Sequence, residues 1–366
     1  MGEPFRVLIA GGGTGGHVFP GVAVADALAR RVRDLAVCWV GTDRGLEAKI
    51  LADTPYHLET MDLRPLNGVR GAALAKALGK LPGAGLRALS ILRAHRPEVV
   101  LGVGGYAGGP VVALAAALKI PAAVLEPNAI PGLTNRLLAR FVKRAFVTHQ
   151  EAVAGFPKDR ALVTGSPVRR QFLARMASPV PVGGRPEVLV LGGSQGARAL
   201  NRALPAAFAT LRDRGLPVAV THQAGAGSAE EVSQAYRSLG VEARVVPFIA
   251  DIAEAMERAS LLVCRAGAMT VAEVGVLGRP ALYVPLPTAA DDHQRRNAEA
   301  QATAGAARWL AQAEATPERL ADELGALLSD PEALRAMGAA AWQGARPDAA
   351  GVIADELLAL ARAGAR

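Results

Sequence analysis

The sequence predicts an α/β protein with two doubly wound, Rossmann-like domains. Short runs rich in Val, Leu and Ile alternate along the chain with helix-forming stretches rich in Ala, Leu and Arg, which is typical of a parallel sheet covered by helices. A chain of 366 residues exceeds what one hydrophobic core usually organises. Glycine-rich loops at residues 11–16 and 192–196 each follow the first predicted strand of one half, which indicates a repeated plan.

Ten strands are predicted, five in each half. The first half contributes 6–10, 36–40, 99–103, 122–125 and 145–147, and the second half contributes 188–191, 218–221, 243–246, 261–264 and 281–284. The stretch 178–186 is rich in Pro and Gly and has little periodicity, so the linker is predicted there, within about ten residues. We divide the chain into a first domain at 1–170 and a second at 171–344.

The composition favours an anionic partner. The formal net charge is +8 and the isoelectric point is about 10, which is compatible with nucleic acid, acidic lipid or a phosphorylated substrate. Only 4% of the residues are aromatic, so a nucleic-acid platform built on base stacking is disfavoured. Cys38 and Cys264 lie in apolar runs and are expected to be buried thiols rather than a disulfide.

Residues 99–118 are uncharged and have the length of a membrane-spanning helix. Five glycines and Pro110 interrupt them after residue 101, which favours a strand, a loop and a buried helix. The first apolar run of the chain is short and has no basic segment before it, so no signal peptide is expected. These patterns predict a soluble protein.

The loop GGGTGGHVFPG, residues 11–21, stands between a predicted strand and a predicted helix. Such a loop directs backbone N–H groups and a helix dipole towards an anion. Gly11, Gly13 and Gly16 also satisfy G-x-G-x-x-G, and Asp43 lies near the end of the second strand, so a dinucleotide-dependent oxidoreductase stays open. His17 follows the last of these glycines and is our candidate catalytic base; a packing or capping histidine is the alternative.

Three further motifs permit both a functional and a structural interpretation. Ser194 lies in the second glycine loop and either binds phosphate or caps the next helix. Thr270 and Glu273 form a capping-box pattern, and Glu273 could instead accept hydrogen bonds from ribose. Residues 291–293, Asp-Asp-His, have no partner histidine at metal-ligand spacing, so a polar loop that reaches a sugar is favoured.

A basic segment runs from residue 64 to residue 96 and contains no Asp or Glu. Its cations are Arg64, Arg70, Lys76, Lys80, Arg87, Arg93 and Arg96, and Arg140, Lys143 and Arg144 could extend the patch. A basic amphipathic segment can lie on an acidic membrane, where each cation adds about 1 kcal/mol of binding free energy. A core-facing helix with a solvated face is the alternative.

Taken in order, the motifs resemble the MurG family, the N-acetylglucosamine transferases that complete lipid II in bacterial peptidoglycan synthesis. The resemblance covers nearly the whole chain. It is carried by GGGTGGHVFPG, GVGGYAGGP, Glu126-Pro-Asn128 with Leu133-Thr-Asn135, Gly165-Ser-Pro-Val-Arg169, GGSQGARALN, Phe248-Ile249, CRAGAMTVAE, and Gln294 before Asn297. Pro127 and His293 stand where the family commonly has Gln.

The resemblance implies the glycosyltransferase B fold, two such domains with a cleft between them, and an inverting reaction without metal or cofactor. The first domain would hold undecaprenyl-linked muramyl-pentapeptide, the second would hold UDP-N-acetylglucosamine, and a last helix at about 345–366 would pack back on the first. Anionic lipids are a further implied partner, at the cytoplasmic face of the membrane, and nucleic acid is not. A UDP-N-acetylglucosamine 2-epimerase-like enzyme and a nucleotide-sugar sensor stay as alternatives.

The resemblance also assigns roles to residues. His17 would be the base, Ile249 would lie by the uracil, and Glu273 would bind the ribose. The remaining substrate-binding candidates are Thr14, Gly15, Gly16, Tyr106, Asn128, Asn135, Arg169, Ser194, Ala268, Met269, Thr270, Val271, Ala272 and Gln294. Among these, Asn128 and Gln294 would reach the donor sugar, and Tyr106 and Asn135 would contact the acceptor.

Overall fold

The structure, a computed structural model, describes residues 3–43, 45–63, 81–105, 107–182, 184–192 and 197–364. The chain divides into two compact units. Unit 1 consists of Met1–Arg169 and Arg346–Arg366, and unit 2 consists of Arg170–Ala345. Each unit is built on one parallel β-sheet, as the sequence predicts. A helix between two strands returns the chain to the end of the sheet at which the first strand began, so the two strands run parallel and are joined by a right-handed crossover.

Unit 1 contains a parallel sheet with seven strands among its described residues. The strands are β1 (Phe5–Gly11), β2 (Leu35–Thr42), β3 (His57–Met61), β4 (Val99–Gly104), β5 (Ala122–Glu126), β6 (Arg144–Val147) and β7 (Ala161–Val163). Their order in the sheet is β3-β2-β1-β4-β5-β6-β7, so the order reverses between β1 and β4. In doubly wound sheets, ligands bind where this reversal leaves a crevice beyond the carboxyl ends of the strands.

Helices cover the unit 1 sheet on both faces. They are α1 (Gly15–Ala29), α2 (Glu47–Leu51), α3 (Leu81–His95), α4 (Gly108–Ala117) and α5 (Leu133–Leu138), with α14 (Ala349–Gly364) from the end of the chain. Leu8 and Ile9 on β1 are both fully buried, although their side chains point to opposite faces. This two-sided burial explains why the strands are continuous apolar runs instead of alternating ones.

Helix α14 packs against α1 and completes one of the two cores of unit 1. Ile353 and Leu357 are fully buried there, in contact with the cluster that contains Leu28. Two ion pairs flank this packing. The Arg31 guanidinium contacts the Asp355 carboxylate at 2.6 and 3.0 Å, and Arg144 Nε lies 3.0 Å from Glu356 Oε2.

Unit 2 repeats the same plan, with six strands in the sheet that its described residues form. Its strands are β8 (Glu187–Leu191), β9 (Ala219–Gln223), β10 (Ala243–Val246), β11 (Leu261–Cys264), β12 (Ala281–Tyr283) and β13 (Arg308–Trp309), in the order β10-β9-β8-β11-β12-β13. Its helices are α6 (Arg170–Leu173), α7 (Arg198–Asp213), α8 (Ala229–Ser238), α9 (Ile252–Arg258), α10 (Ala268–Leu277), α11 (His293–Thr303), α12 (Pro317–Leu328) and α13 (Pro331–Gly344). The reversal here lies between β8 and β11.

The ten predicted strands are all present, with ends shifted by at most two residues. Residues 99–118 form strand β4, a loop and helix α4, as predicted, and no helix in the described part of the chain is long and apolar enough to cross a bilayer. Cys38 and Cys264 are free and buried, which confirms that expectation. The boundary between the units, at Arg169/Arg170, lies one residue from the predicted division at 170/171 and within about ten residues of the predicted linker. The stretch 178–186 itself belongs to unit 2, where the Pro179 carbonyl accepts a hydrogen bond from buried Arg279.

Candidate functional site

The switch point of unit 1 brings two glycine loops together. The Gly12 N–H donates to the Gly104 carbonyl at 3.2 Å, which joins the loop after β1 to the loop after β4. Gly104 has a φ of +96°, and a Cβ on it would lie 2.7 Å from the His17 ring. Gly105 has a φ of +79°, and a Cβ there would lie 2.4 Å from the Gly12 carbonyl oxygen. Only glycine fits at these two positions, both for backbone conformation and for space.

His17 lies in the first turn of α1, half-buried beside this junction. Its Nδ1 is 3.2 Å from the Gly12 carbonyl oxygen and 3.4 Å from the Thr14 hydroxyl. Because a carbonyl can only accept, the proton of the neutral imidazole is assigned to Nδ1, and the lone pair to Nε2. The ring edge that carries Nε2 packs against Gly104. This tautomer is the one in which Nε2 can accept a proton from a substrate.

The buried carboxylate of Glu126 organises the loop after β5. Its side chain is 2% exposed. Oε1 accepts from the backbone and side-chain nitrogens of Asn128 at 3.0 and 3.1 Å, and Oε2 accepts from the Gly132 N–H and from Asn135 Nδ2, both at 2.9 Å. Burial raises the pKa of Glu126, and the four donors oppose that shift. Asn135 is buried beneath the loop, whereas Asn128 is half-buried on it.

Arg169 is the last residue of the first segment of unit 1, and its guanidinium packs on helix α1. The guanidinium carbon lies 4.7 Å from the centre of the Phe19 ring, within cation–π distance. Phe19 is two residues after His17 on the same helix. Arg169, one of the predicted substrate-binding residues, therefore lies close to the helix that carries His17, the predicted base.

Helix α10 follows the switch-point strand β11 of unit 2 and begins at Ala268. Its N-cap is Gly267, and no side chain of the described residues caps it. The predicted capping box is wrong: the helix starts two residues before Thr270, so Thr270 lies in the first turn and Glu273 lies one turn later. Glu273 is 6% exposed. The candidates Ala268, Met269, Thr270, Val271 and Ala272 thus form the start of a helix whose first N–H groups point towards the carboxyl edge of the sheet.

Helix α11 is tied to the loops on either side of it in the sheet. Gln294 Oε1 accepts from the Leu286 N–H at 3.0 Å, which fixes the loop after β12. Asn297 is fully buried and donates from Nδ2 to the Ala266 carbonyl at 3.1 Å, in the loop that leads into α10. Gln294 is therefore held at the same edge of the sheet as the start of α10.

The predicted residues gather at the carboxyl edges of the two sheets. In unit 2, Ile249, the start of α10 and Gln294 follow β10, β11 and β12 in turn. In unit 1, Thr14, Gly15, Gly16 and His17 follow β1, and Asn128 follows β5. Tyr106 and Ser194 lie outside the described residues. Helix α7 has Ala197 as its N-cap residue.

Both units match domains of the same glycosyltransferase family. The N-terminal domain of glycosyltransferase family 28 matches residues 7–147, and the C-terminal domain of that family matches residues 187–365. The two matches cover most of unit 1 and almost all of unit 2.

Similar proteins with assigned names show which members of this glycosyltransferase family the chain resembles. A Pelobacter propionicus protein named UDP-N-acetylglucosamine--N-acetylmuramyl-(pentapeptide) pyrophosphoryl-undecaprenol N-acetylglucosamine transferase is 44% identical over 96% of this chain and 99% of its own length. A Geobacter sulfurreducens protein of the same name is 42% identical over 98% and 99%. The crystal structure of Acinetobacter baumannii MurG superposes with a TM-score of 0.81 at 33% identity, over 97% of this chain and all of that one. The chain belongs to the MurG family.

As a member of the MurG family, the chain is a glycosyltransferase with the glycosyltransferase B fold. Proteins outside the MurG family also have this fold. A UDP-GlcNAc 2-epimerase from Neisseria meningitidis, bound to UDP-GlcNAc, superposes with a TM-score of 0.65 at 14% identity, over 97% of this chain. At that identity the likeness shows the fold alone.

A further polar group, which no sequence motif marks, lies buried beneath the loop that precedes His17. Glu47 is fully buried, and its Oε1 accepts from the Gly13 N–H at 2.9 Å, the Thr42 N–H at 3.1 Å and the Thr42 hydroxyl at 3.3 Å. A Cβ on Gly12 or Gly45 would lie 1.6 Å from a Glu47 oxygen. Among the described residues, Oε2 has no hydrogen-bond partner. The glycines around Glu47 were the available signal, since they make room for its side chain.

Proposed function

We propose that this chain transfers N-acetylglucosamine from UDP-N-acetylglucosamine to undecaprenyl-linked muramyl-pentapeptide, which converts lipid I to lipid II. The observation that carries the proposal is the identity of 42–46% with transferases of that name, over nearly the full length of both chains. His17 adds chemical support, because its Nδ1 donor bond assigns the basic lone pair to Nε2.

In this proposal unit 2 binds the donor. The uracil lies by Ile249, the ribose hydroxyls donate to Glu273, and Gln294 reaches the sugar. The diphosphate lies at the start of α10, where the first-turn N–H groups and the helix dipole favour negative charge. Ser194 and Arg169 add a hydroxyl and a cation to that anion.

Unit 1 supplies the acceptor side and the base. His17 Nε2 takes the proton of the muramyl 4-hydroxyl as that oxygen attacks the anomeric carbon. The new C–O bond forms on the face opposite the diphosphate, the bond to the diphosphate oxygen breaks with its electron pair, and the anomeric configuration inverts. Stabilising the departing diphosphate with N–H groups and a guanidinium requires no metal ion. Thr14, Gly15, Gly16, Tyr106, Asn128 and Asn135 form or support the surface that receives the substrates.

The test uses the purified full-length chain with labelled UDP-N-acetylglucosamine, with and without a water-soluble lipid I analogue. We expect labelled product and an equal amount of free UDP only when the acceptor is present. Conversion of the UDP-sugar in acceptor-free buffer would instead indicate an epimerase. Binding of the UDP-sugar without UDP release under either condition would indicate a sensor, and either result would overturn the proposal.

We further propose that unit 1 binds the cytoplasmic face of the membrane peripherally. Residues 64–80 of the basic segment lie outside the described residues, but a second candidate surface is described on α5 and the turn after it. Leu133, Leu137 and Phe141 are 47%, 66% and 64% exposed at spacings of four residues. Arg136, Arg140 and Lys143 are exposed among them, whereas Arg144 is paired with Glu356 and does not extend the patch.

An apolar ridge flanked by cations suits an anionic bilayer, because the apolar side chains enter the interface while the cations contact headgroups. Vesicle sedimentation tests this with the double variant Leu137→Asp, Phe141→Asp. We expect it to lose binding to vesicles that contain phosphatidylglycerol. Leu239→Asp, which changes an exposed leucine of unit 2, should bind as the unmodified chain does. Equal partitioning of the double variant would remove this surface from the proposal.

A further inference from the structure

A cluster of two histidines and one glutamate lies on unit 1, away from the glycine loops. His57 and Glu59 are on β3 and point to the same face of the sheet, and His95 is the last residue of α3, which packs on that face. Glu59 Oε1 is 3.2 Å from His57 Nε2 and 3.2 Å from His95 Nε2. All three atoms lie within 4.8 Å of one another.

These spacings match the edges of a zinc coordination tetrahedron. With Zn–N and Zn–O bonds of about 2.0–2.2 Å, two ligand atoms of a tetrahedron lie about 3.3–3.5 Å apart. The two N···O distances therefore need almost no change. The His57–His95 nitrogen pair closes by rotation of side chains, and the His57 side chain is 62% exposed and has room to rotate.

Arg87 prepares the carboxylate for this role. One of its guanidinium nitrogens lies 2.6 Å from Glu59 Oε2, so it holds that oxygen and directs Oε1 towards the two imidazoles. An outer partner of this kind orients a metal-binding carboxylate. Desolvation opposes ionisation of Glu59, but the hydrogen bonds of His95 and His57 and the charge of Arg87 together hold its pKa below the usual value.

A cavity gives access to the cluster. It has a volume of about 550 Å³, and His57 and His95 form part of its wall together with Cys38 and Arg6. It opens at the amino ends of β1, β2 and β3, which is the edge of the sheet opposite the one that carries His17. Solvent in this cavity can therefore reach both imidazoles.

We propose that His57 Nε2, Glu59 Oε1 and His95 Nε2 bind one Zn²⁺, with a water molecule as the fourth ligand. The ion joins the start of strand β3, at the edge of the described sheet, to the end of helix α3. It stabilises unit 1 and takes no part in sugar transfer. Its position at the amino edge of the sheet makes the proposal independent of the proposed function.

The test uses the full-length chain freed of metal by a chelator. Zn²⁺ should raise the melting temperature and saturate at one ion per chain. Co²⁺, which reports four-coordinate sites in the visible spectrum, should give absorption bands that Zn²⁺ then removes. His57→Gln and His95→Gln should each weaken Zn²⁺ binding at least 10-fold, because each removes one of three protein ligands.

Two matched controls separate this site from other metal contacts. Cys38→Ser removes the thiol in the cavity wall, and His293→Gln removes a partly exposed histidine of unit 2; both variants should bind Zn²⁺ as the unmodified chain does. If the unmodified chain gives no Co²⁺ bands and no Zn²⁺-dependent rise in melting temperature, the cluster is a hydrogen-bonded structural group. Unchanged Zn²⁺ binding in the double variant His57→Gln, His95→Gln would equally overturn the proposal.

Discussion

Units 1 and 2 share one strand order but hold their glycine loops with different polar groups. In unit 1 the support beneath the loop is an acidic side chain, that of fully buried Glu47, which accepts directly from the Gly13 N–H. In unit 2 the residues after the loop are held by a neutral network. Asn201, in the first turn of α7, donates to the Ala224 carbonyl at 3.0 Å and contacts His222 Nε2 at 3.1 Å, and His222 Nδ1 lies 3.0 Å from the Tyr236 hydroxyl.

The difference shows that the shared fold supplies backbone geometry, whereas each unit adds its own chemistry. Unit 1 places a titratable imidazole directly after its loop, and a carboxylate below fixes the loop without facing solvent. Unit 2 has a helix start that no side chain of the described residues caps, and an acidic residue one turn into that helix. The first arrangement suits proton transfer and the second suits holding a nucleotide. Variants of His17 and Glu47 should therefore change turnover, and variants of Glu273 should change donor affinity.

The largest expected effect is that of His17→Ala. Removal of a general base should lower kcat by about 10²–10⁴-fold. Donor affinity, measured by calorimetry with UDP-N-acetylglucosamine, should stay unchanged because the proposed partner of His17 is the acceptor hydroxyl. Wild-type turnover in the lipid-acceptor assay would exclude His17 as the base.

Glu273→Gln tests the other half of the comparison. Weakening hydrogen bonds between the ribose and a charged group costs about 1.5–3 kcal/mol, so the donor KM should rise about 10–100-fold while kcat changes little. Steady-state kinetics with varied donor measure this. A fall in melting temperature with an unchanged donor KM would show that Glu273 acts only within the helix.

Glu47→Gln should loosen the loop of unit 1. The three donors would lose a carboxyl acceptor, and the new amide nitrogen would lie at the position of Oε2, where the described residues offer no partner. The free energy of unfolding in urea should fall by about 1–3 kcal/mol. The kcat should fall as well, while donor affinity holds. An unchanged kcat would separate Glu47 from the positioning of the loop.

The smallest expected effect concerns pH and unit 2. Burial lowers the pKa of His222 to about 4, whereas in the unfolded chain it is about 6.5. Between these values the unfolded state binds the additional proton, so stability falls as the pH falls from about 6.5 towards 4. From pH 7 to pH 5 the loss should be about 1–2 kcal/mol. In urea unfolding, the His222→Gln variant should lose less stability between pH 7 and pH 5 than the unmodified chain. If the free energy of unfolding depends on pH equally in both proteins, His222 is not the cause.

The sequence predicts most of the fold because parallel strands buried on both faces are continuous apolar runs. Residues 6–10 and 261–264 are clear for that reason. The three strands that the prediction missed lack this property. β3 contains His57 and Glu59, β7 is three residues long, and β13 has only two residues. Edge strands pack on fewer neighbours, so their sequences are less constrained.

The candidate site is less predictable because burial of a single polar residue leaves little trace in a sequence. Glu47 follows Leu46 and precedes Ala48 as any helical glutamate would, and only the fold shows that three glycines surround it. The capping-box pattern at Thr270 misled for a related reason: the extended backbone of Gly267, at φ −64° and ψ 144°, already starts the helix. The order of the motifs in the sequence is enough to identify the family. The neighbours of each side chain are known only from the hydrogen bonds in the structure.

The last helix gives the chain an unusual order of assembly. Unit 1 needs α14 to cover Leu28 and the rest of the α1 core, yet α14 follows all of unit 2 in the chain. During translation, residues 1–169 therefore leave the ribosome with an apolar face that stays uncovered until α14, which ends 195 residues later at Gly364, has been made. Such a nascent intermediate is a natural client for a chaperone, and a fragment that stops at the unit boundary is expected to aggregate.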